Sequence, residues 1–98
     1  MIVRVHSDGV ALEDIDTLTA FKVAAPEKLR VRLDEALGPA GGFDGEHAWI
    51  SEAWLRKITA DRPLEWGVGF EKMLAFARTK GWVDPSSGRV RAHVEWES

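Results

Sequence analysis

Arg89-Val90-Arg91-Ala92-His93-Val94-Glu95-Trp96 alternates polar and apolar residues over its full length. A period of two belongs to a strand with one face on a core and the other in water. Val90, Ala92, Val94 and Trp96 share the apolar face, and Arg89, Arg91, His93 and Glu95 share the polar one. The preceding Asp84-Pro85-Ser86-Ser87-Gly88 has the residues of a turn and sets where the strand begins.

Working back from this strand, the spacing predicts a helix over Val68 to Lys80, with Phe70, Met73, Leu74 and Ala77 on one face and Phe76 widening it. Gly81 is expected in the left-handed position, which places Trp82 against Ala77 or Phe76. Pro63 marks the boundary before that helix. A second helix begins at Ser51, a good N-cap, with Glu52 in its first turn and Trp54, Leu55 and Ile58 as its buried stripe. His47 to Ile50 reads as a short strand. Gly38 to Glu46, with four Gly and one Pro, reads as an exposed flexible loop.

The N-terminal half follows the same logic. Pro26 suits the first position of a helix that buries Leu29, Leu33, Ala36 and Leu37 and stops at Gly38. Pro39 has no N–H, so a single-bond ending is expected there. Thr17 to Ala24 is assigned as a second strand, and Val10 to Thr17 as a connector. Ile2 to His6 alternates as a first strand and ends at the turn signal Ser7-Asp8-Gly9. The order β-β-α-β-α-α-β predicts an α+β domain, residues 1–98, with about three helices on one face of a small mixed or antiparallel sheet.

Composition narrows the function classes. The chain has 98 residues and no Cys, which removes disulfides, thiolate nucleophiles and cysteine-held metal clusters. Thirteen Lys plus Arg against sixteen Asp plus Glu leave a net charge of −3, which disfavours non-specific nucleic-acid binding. No apolar run approaches a membrane span and no leader pattern opens the chain, so a soluble, cytoplasmic protein without membrane partners is expected.

Several groups could carry chemistry. If the first and last strands turn their valines to the helices, the other sheet face collects Arg4, His6, Arg89, Arg91, His93 and Glu95. Arginines there suit a carboxylate or phosphate, and a His beside them suits acid–base work. The alternative is a solvated face with cross-strand Arg–Glu pairs. Asp44, Glu46 and His47 place two carboxylates and an imidazole by the glycine-rich loop, where either proton transfer or plain turn chemistry fits. His6, His47 and His93 show no metal-ligand spacing. Gly67-Val68-Gly69 lacks the rest of a dinucleotide fingerprint, and no cofactor is implied. Trp49 and Trp66 are not needed by the core stripes and are candidates to line an apolar pocket or anchor a partner, and Trp96 is a further candidate for a subunit contact.

The tract Gly81-Trp82 with Arg91-Ala92-His93-Val94-Glu95-Trp96, and His47-Ala48-Trp49-Ile50 upstream, resembles small bacterial proteins without an assigned activity. That resemblance implies no site. The expectation from the residues is a non-catalytic module that binds a small carboxylated or apolar ligand or another protein. It forms a homodimer through the outer sheet face or the spare tryptophans. The competing expectation is a small enzyme acting on a carboxylated or acyl molecule, with His47 or His93 as acid or base. Arg4, Arg89 and Arg91 are the anion-binding candidates, with Arg91 foremost as the clamp.

Overall fold

The computed structural model describes all residues from Met1 to Ser98. The C-terminal strand forms as its alternation requires: β6 runs Val90–Glu97, with Val90, Ala92 and Val94 buried and His93 and Glu95 exposed. It changes neighbours along its length. Its first residues pair antiparallel with β5 (Ala48–Ile50), matching Ile50 to Val90 and Ala48 to Ala92. Its later residues pair parallel with β3 (Lys22–Pro26), matching Lys22 to His93 and Val23 to Val94.

Beyond β3 lies β1 (Ile2–His6), parallel to it, and then β2 (Gly9–Glu13), antiparallel to β1 across the turn Ser7-Asp8. On the far side β4 (Gly41–Phe43) pairs antiparallel with β5. The result is one six-stranded mixed sheet in the order β2-β1-β3-β6-β5-β4. Val3, Val23 and Val94 stand side by side across it and are all buried. β3 is buried at three consecutive positions, Val23, Ala24 and Ala25, as befits a strand inside a sheet.

Three helices supply the rest of one core cluster: α1 (Leu33–Leu37), α2 (Glu52–Ile58) and α3 (Leu64–Thr79). Leu33 and Leu37, Leu55, and Phe70, Leu74 and Ala77 are their buried residues. Ser51 caps α2 as expected, its Oγ accepting from the Trp54 amide at 3.1 Å. Gly81, with φ 75°, closes α3 with two hydrogen bonds: its amide donates to Arg78 O at 3.1 Å, and the Trp82 amide donates to Ala77 O at 2.9 Å. Trp82 then meets Phe76 edge to face, with ring centroids 5.9 Å apart.

Four expectations are corrected. Val10 to Thr17 holds a strand, because Gly9–Glu13 folds back on β1 before Asp14 turns the chain away with φ 50°. The residues expected as a second strand from Thr17 pair only from Lys22, since Thr17 and Ala20 give their carbonyls to the Met1 ammonium at 2.6 and 2.7 Å. The helix expected from Pro26 is a 3₁₀ segment, Glu27–Arg32, broken from α1 at Arg32 with φ −138°. Its Leu29 and the Leu33 and Leu37 of α1 still all reach the core. The expected flexible loop is ordered: Gly38–Ala40 forms a 3₁₀ turn and Gly41–Phe43 forms β4. Gly38 has φ 52°, but its amide bonds Glu35 O and the chain runs on without a free end.

Glycine is required in β4 for a steric reason. A Cβ on Gly41 would lie 2.1 Å from Trp49 O, a backbone atom with nowhere to go. Gly41→Ala should therefore lower stability by about 3 kcal/mol, the upper end for a forced overpacking. Chemical denaturation measures this directly; a change below about 1 kcal/mol would show that β4 is not seated as described.

Candidate ligand groove

The offset between the two partners of β6 creates the site. β3 pairs only from His93 onward, so the flank of β6 beside Val90 and Arg91 needs another neighbour. Val83 takes part of that place, bridging Val90 on the side opposite Ile50, while the Arg91 amide bonds Trp82 O at 2.7 Å. Between Trp82 and the start of β3 a groove remains. It is bounded by Leu18 to Phe21 before β3 and by the Gly69 to Ala77 stretch of α3.

Its volume is about 800 Å³, inside the range of roughly 300–1,000 Å³ usual for small-molecule sites. Leu18, Phe21, Met73, Phe76 and Trp82 make it largely apolar. Gly69 lets α3 approach the 14–21 segment, since a Cβ there would stand 2.8 Å from Leu18 Cδ1. That segment is further held by Trp66, whose Nε1 donates to Ile15 O at 3.1 Å. The polar lining is His47, Lys72, Arg91 and His93, with no carboxylate among the lining residues. Neither Lys72 nor Arg91 has an ion-pair partner, whereas Arg4, Arg30, Arg56, Arg62 and Arg78 all do.

His47 is positioned by a hub at Asp44. Asp44 Oδ1 accepts from the His47 amide at 2.7 Å and the Glu46 amide at 2.9 Å, and Oδ2 accepts from Trp49 Nε1 at 2.9 Å. These bonds, the His47 amide first, lower the Asp44 carboxyl to about 2. His47 Nδ1 lies 3.7 Å from Glu46 Oε1, a carboxylate that points into solvent.

The structure brings His47, Arg91 and His93 together and leaves the other candidates elsewhere. Arg4 is held by Glu13 and Glu97 on the outer sheet face, where Lys22 also pairs with Glu95 at 2.9 Å. Arg89 lies against Gly42, 2.9 Å from where its Cβ would be. Trp49 stands directly across from Arg91 in the ladder but spends its N–H on Asp44. Trp66 stacks on Phe70 at 5.1 Å, and Trp96 is covered by Arg30 at 4.4 Å and by Phe43 edge-on at 5.8 Å. His6 is exposed and outside the groove. Sequence reasoning missed Lys72, Met73, Leu18 and Phe21 as lining residues, and it placed Phe76 and Trp82 in the core and cap. The 55% exposure of Phe76 is what the stripe pattern could not reveal.

The Asp44 hub has a pH signature. A carboxyl lowered from 3.8 to about 2 contributes stability that is present above pH 3.8 and lost as pH falls through about 2. Asp44→Asn should melt below the native protein at neutral pH, with the gap closing between pH 4 and pH 2. Thermal melts across that range check it, and a gap independent of pH would contradict the hub. No family model, curated protein or solved structure matches this chain.

Proposed function

We propose that the chain is a binding module for a small amphipathic carboxylate, held in the groove beside β6. The observation that carries this reading is the pairing of an apolar wall with Arg91 and Lys72, two cations without ion-pair partners, in a groove that has no acidic lining residue. The chain as a whole carries a net charge of −3, so this local excess of positive charge stands against the composition. An arginine guanidinium accommodates a carboxylate through two parallel N–H bonds, and Phe76, Trp82 and Met73 offer surface to a hydrocarbon tail.

A second reading is acid–base chemistry on an acyl substrate, favoured by the presence of both His47 and His93 in the same groove. It is weaker in one respect. Neither imidazole has a side-chain hydrogen bond to an orienting carboxylate, and Glu46 sits beyond bonding distance of His47. The two readings part on whether a bound decanoyl ester is recovered intact or cleaved.

Calorimetry with decanoate tests the binding reading. Octanoate, two methylenes shorter, should bind about 15-fold more weakly, since each buried methylene is worth roughly 0.8 kcal/mol. Arg91→Gln should weaken decanoate by roughly 10- to 100-fold, the value of losing charge-assisted hydrogen bonds of about 1.5–3 kcal/mol. Decanol should bind native protein and Arg91→Gln alike. Equal decanoate affinity in the two proteins would remove Arg91 from the site.

A further inference from the structure

The sheet has two edges, and only one is closed. At β4 the ladder to β5 uses the bonds of Asp44 with His47 and of Ser51 with Ala40, so the amides of Gly41 and Phe43 face outward. Both are taken: Gly41 donates to Gly38 O, and Phe43 donates to Asp34 Oδ1 at 2.8 Å. The 3₁₀ turn and α1 thus seal that edge.

The opposite edge, β2, has no hydrogen-bonding partner beyond β1, although α1 also packs against the strand. Its two-residue turn makes His6 and Gly9 the first hydrogen-bonded pair with β1, so Gly9, Ala11 and Glu13 face β1. The amides and carbonyls of Val10 and Leu12 therefore point away from the sheet. No side chain and no loop group bonds to them. Within β2 there is no Pro, no Lys and no bulge, the devices that usually protect such an edge.

We propose that β2 pairs antiparallel with the β2 of a second copy of this chain, about a twofold axis through Ala11. In that register Val10 stands opposite Leu12, Gly9 opposite Glu13, and Ala11 opposite its own counterpart. Every outward amide and carbonyl of Val10 and Leu12 then gains a partner in both copies. The only charged residue of the strand is Glu13, which is already paired with Arg4 of its own chain at 3.0 Å. Facing it is Gly9, where nothing stands within 4 Å of a Cβ position. Within Gly9–Glu13 no like charges face each other, and just beyond the strand Asp14, which the same register would set opposite Asp8 of the second copy, turns the chain away with φ 50°. The tryptophans expected to join subunits are packed within the chain, which leaves this edge as the unpartnered backbone. β1 and β3 separate it from the groove, so it stands or falls independently of the ligand reading.

Three variants of this cysteine-free chain test it by sedimentation and oxidation. At the axis the paired Cα atoms of a non-hydrogen-bonded site lie about 4.5 Å apart, within disulfide reach of roughly 4.4–6.8 Å. Ala11→Cys should cross-link rapidly under mild oxidation, and Val31→Cys, 93% exposed on the 3₁₀ segment, should not. Ala11 is exposed and lies beside Arg4, so Ala11→Glu suits the single chain while setting two carboxylates face to face at the axis. The native chain should sediment at twice the chain mass at tens of micromolar, and Ala11→Glu at the chain mass with an unchanged circular dichroism spectrum. A native chain that sediments singly, an Ala11→Glu variant that stays paired, or an Ala11→Cys variant that cross-links no faster than Val31→Cys would overturn the proposal.

Discussion

The change of partner along β6 is the constraint on which the rest of the structure depends. One strand must satisfy β5 beside Val90–Ala92 and β3 beside His93–Glu97, on opposite flanks. An unpaired backbone flank in a core costs free energy, so the Val90 end needs a substitute for β3. The chain supplies Trp82-Val83, delivered there by the Gly81 closure of α3. The substitute is short. Where it stops and β3 has yet to start, α3 and the Leu18–Phe21 segment cover the flank only partly, and the groove is what remains uncovered.

Charge placement follows the same division. On the outer face over β1, β3 and the later part of β6, Arg4 and Lys22 are matched by Glu13, Glu95 and Glu97. Exposed pairs of this kind are screened by solvent, so they neutralise more than they stabilise. Arg91, four residues before Glu95 on the same face, has no ion pair with those carboxylates and lies beside the apolar wall. The same alternation thus yields a solvated ion-pair surface at one end of β6 and a cationic groove rim at the other. The ion-paired half matches the solvated face weighed in the sequence, and the groove half is where the proposed carboxylate site lies.

Local chemistry was legible in the sequence and non-local pairing was not. Strand β6, the Ser51 cap and the Gly81 closure with its Trp82 contact are written in residues close to one another. The strands β2 and β4 are not: Gly9–Glu13 and Gly41–Phe43 lack β-branched runs and become strands because β1 and β5 offer them partners. The glycines that suggested mobility in Gly38–Glu46 are instead demanded by close backbone approach at Gly41. Of the site, Arg91 and His93 followed from period-two alternation and His47 from its loop. Lys72 and Met73 could not be found that way, because only the packing of α3 against the 14–21 segment turns them toward the groove. Trp49 and Trp66, unexplained by any stripe, turn out to hold Asp44 and Ile15 in place.

Five tryptophan side chains give this account a direct reporter, because each indole N–H is a separate nuclear magnetic resonance signal. Titrating isotope-labelled protein with decanoate should shift the Trp82 indole together with the backbone amides of Arg91, His93 and Met73. The indoles of Trp49, bonded to Asp44, and Trp66, bonded to Ile15, should stay in place. Shifts centred on Trp66, or none at saturating decanoate, would contradict a carboxylate site beside β6.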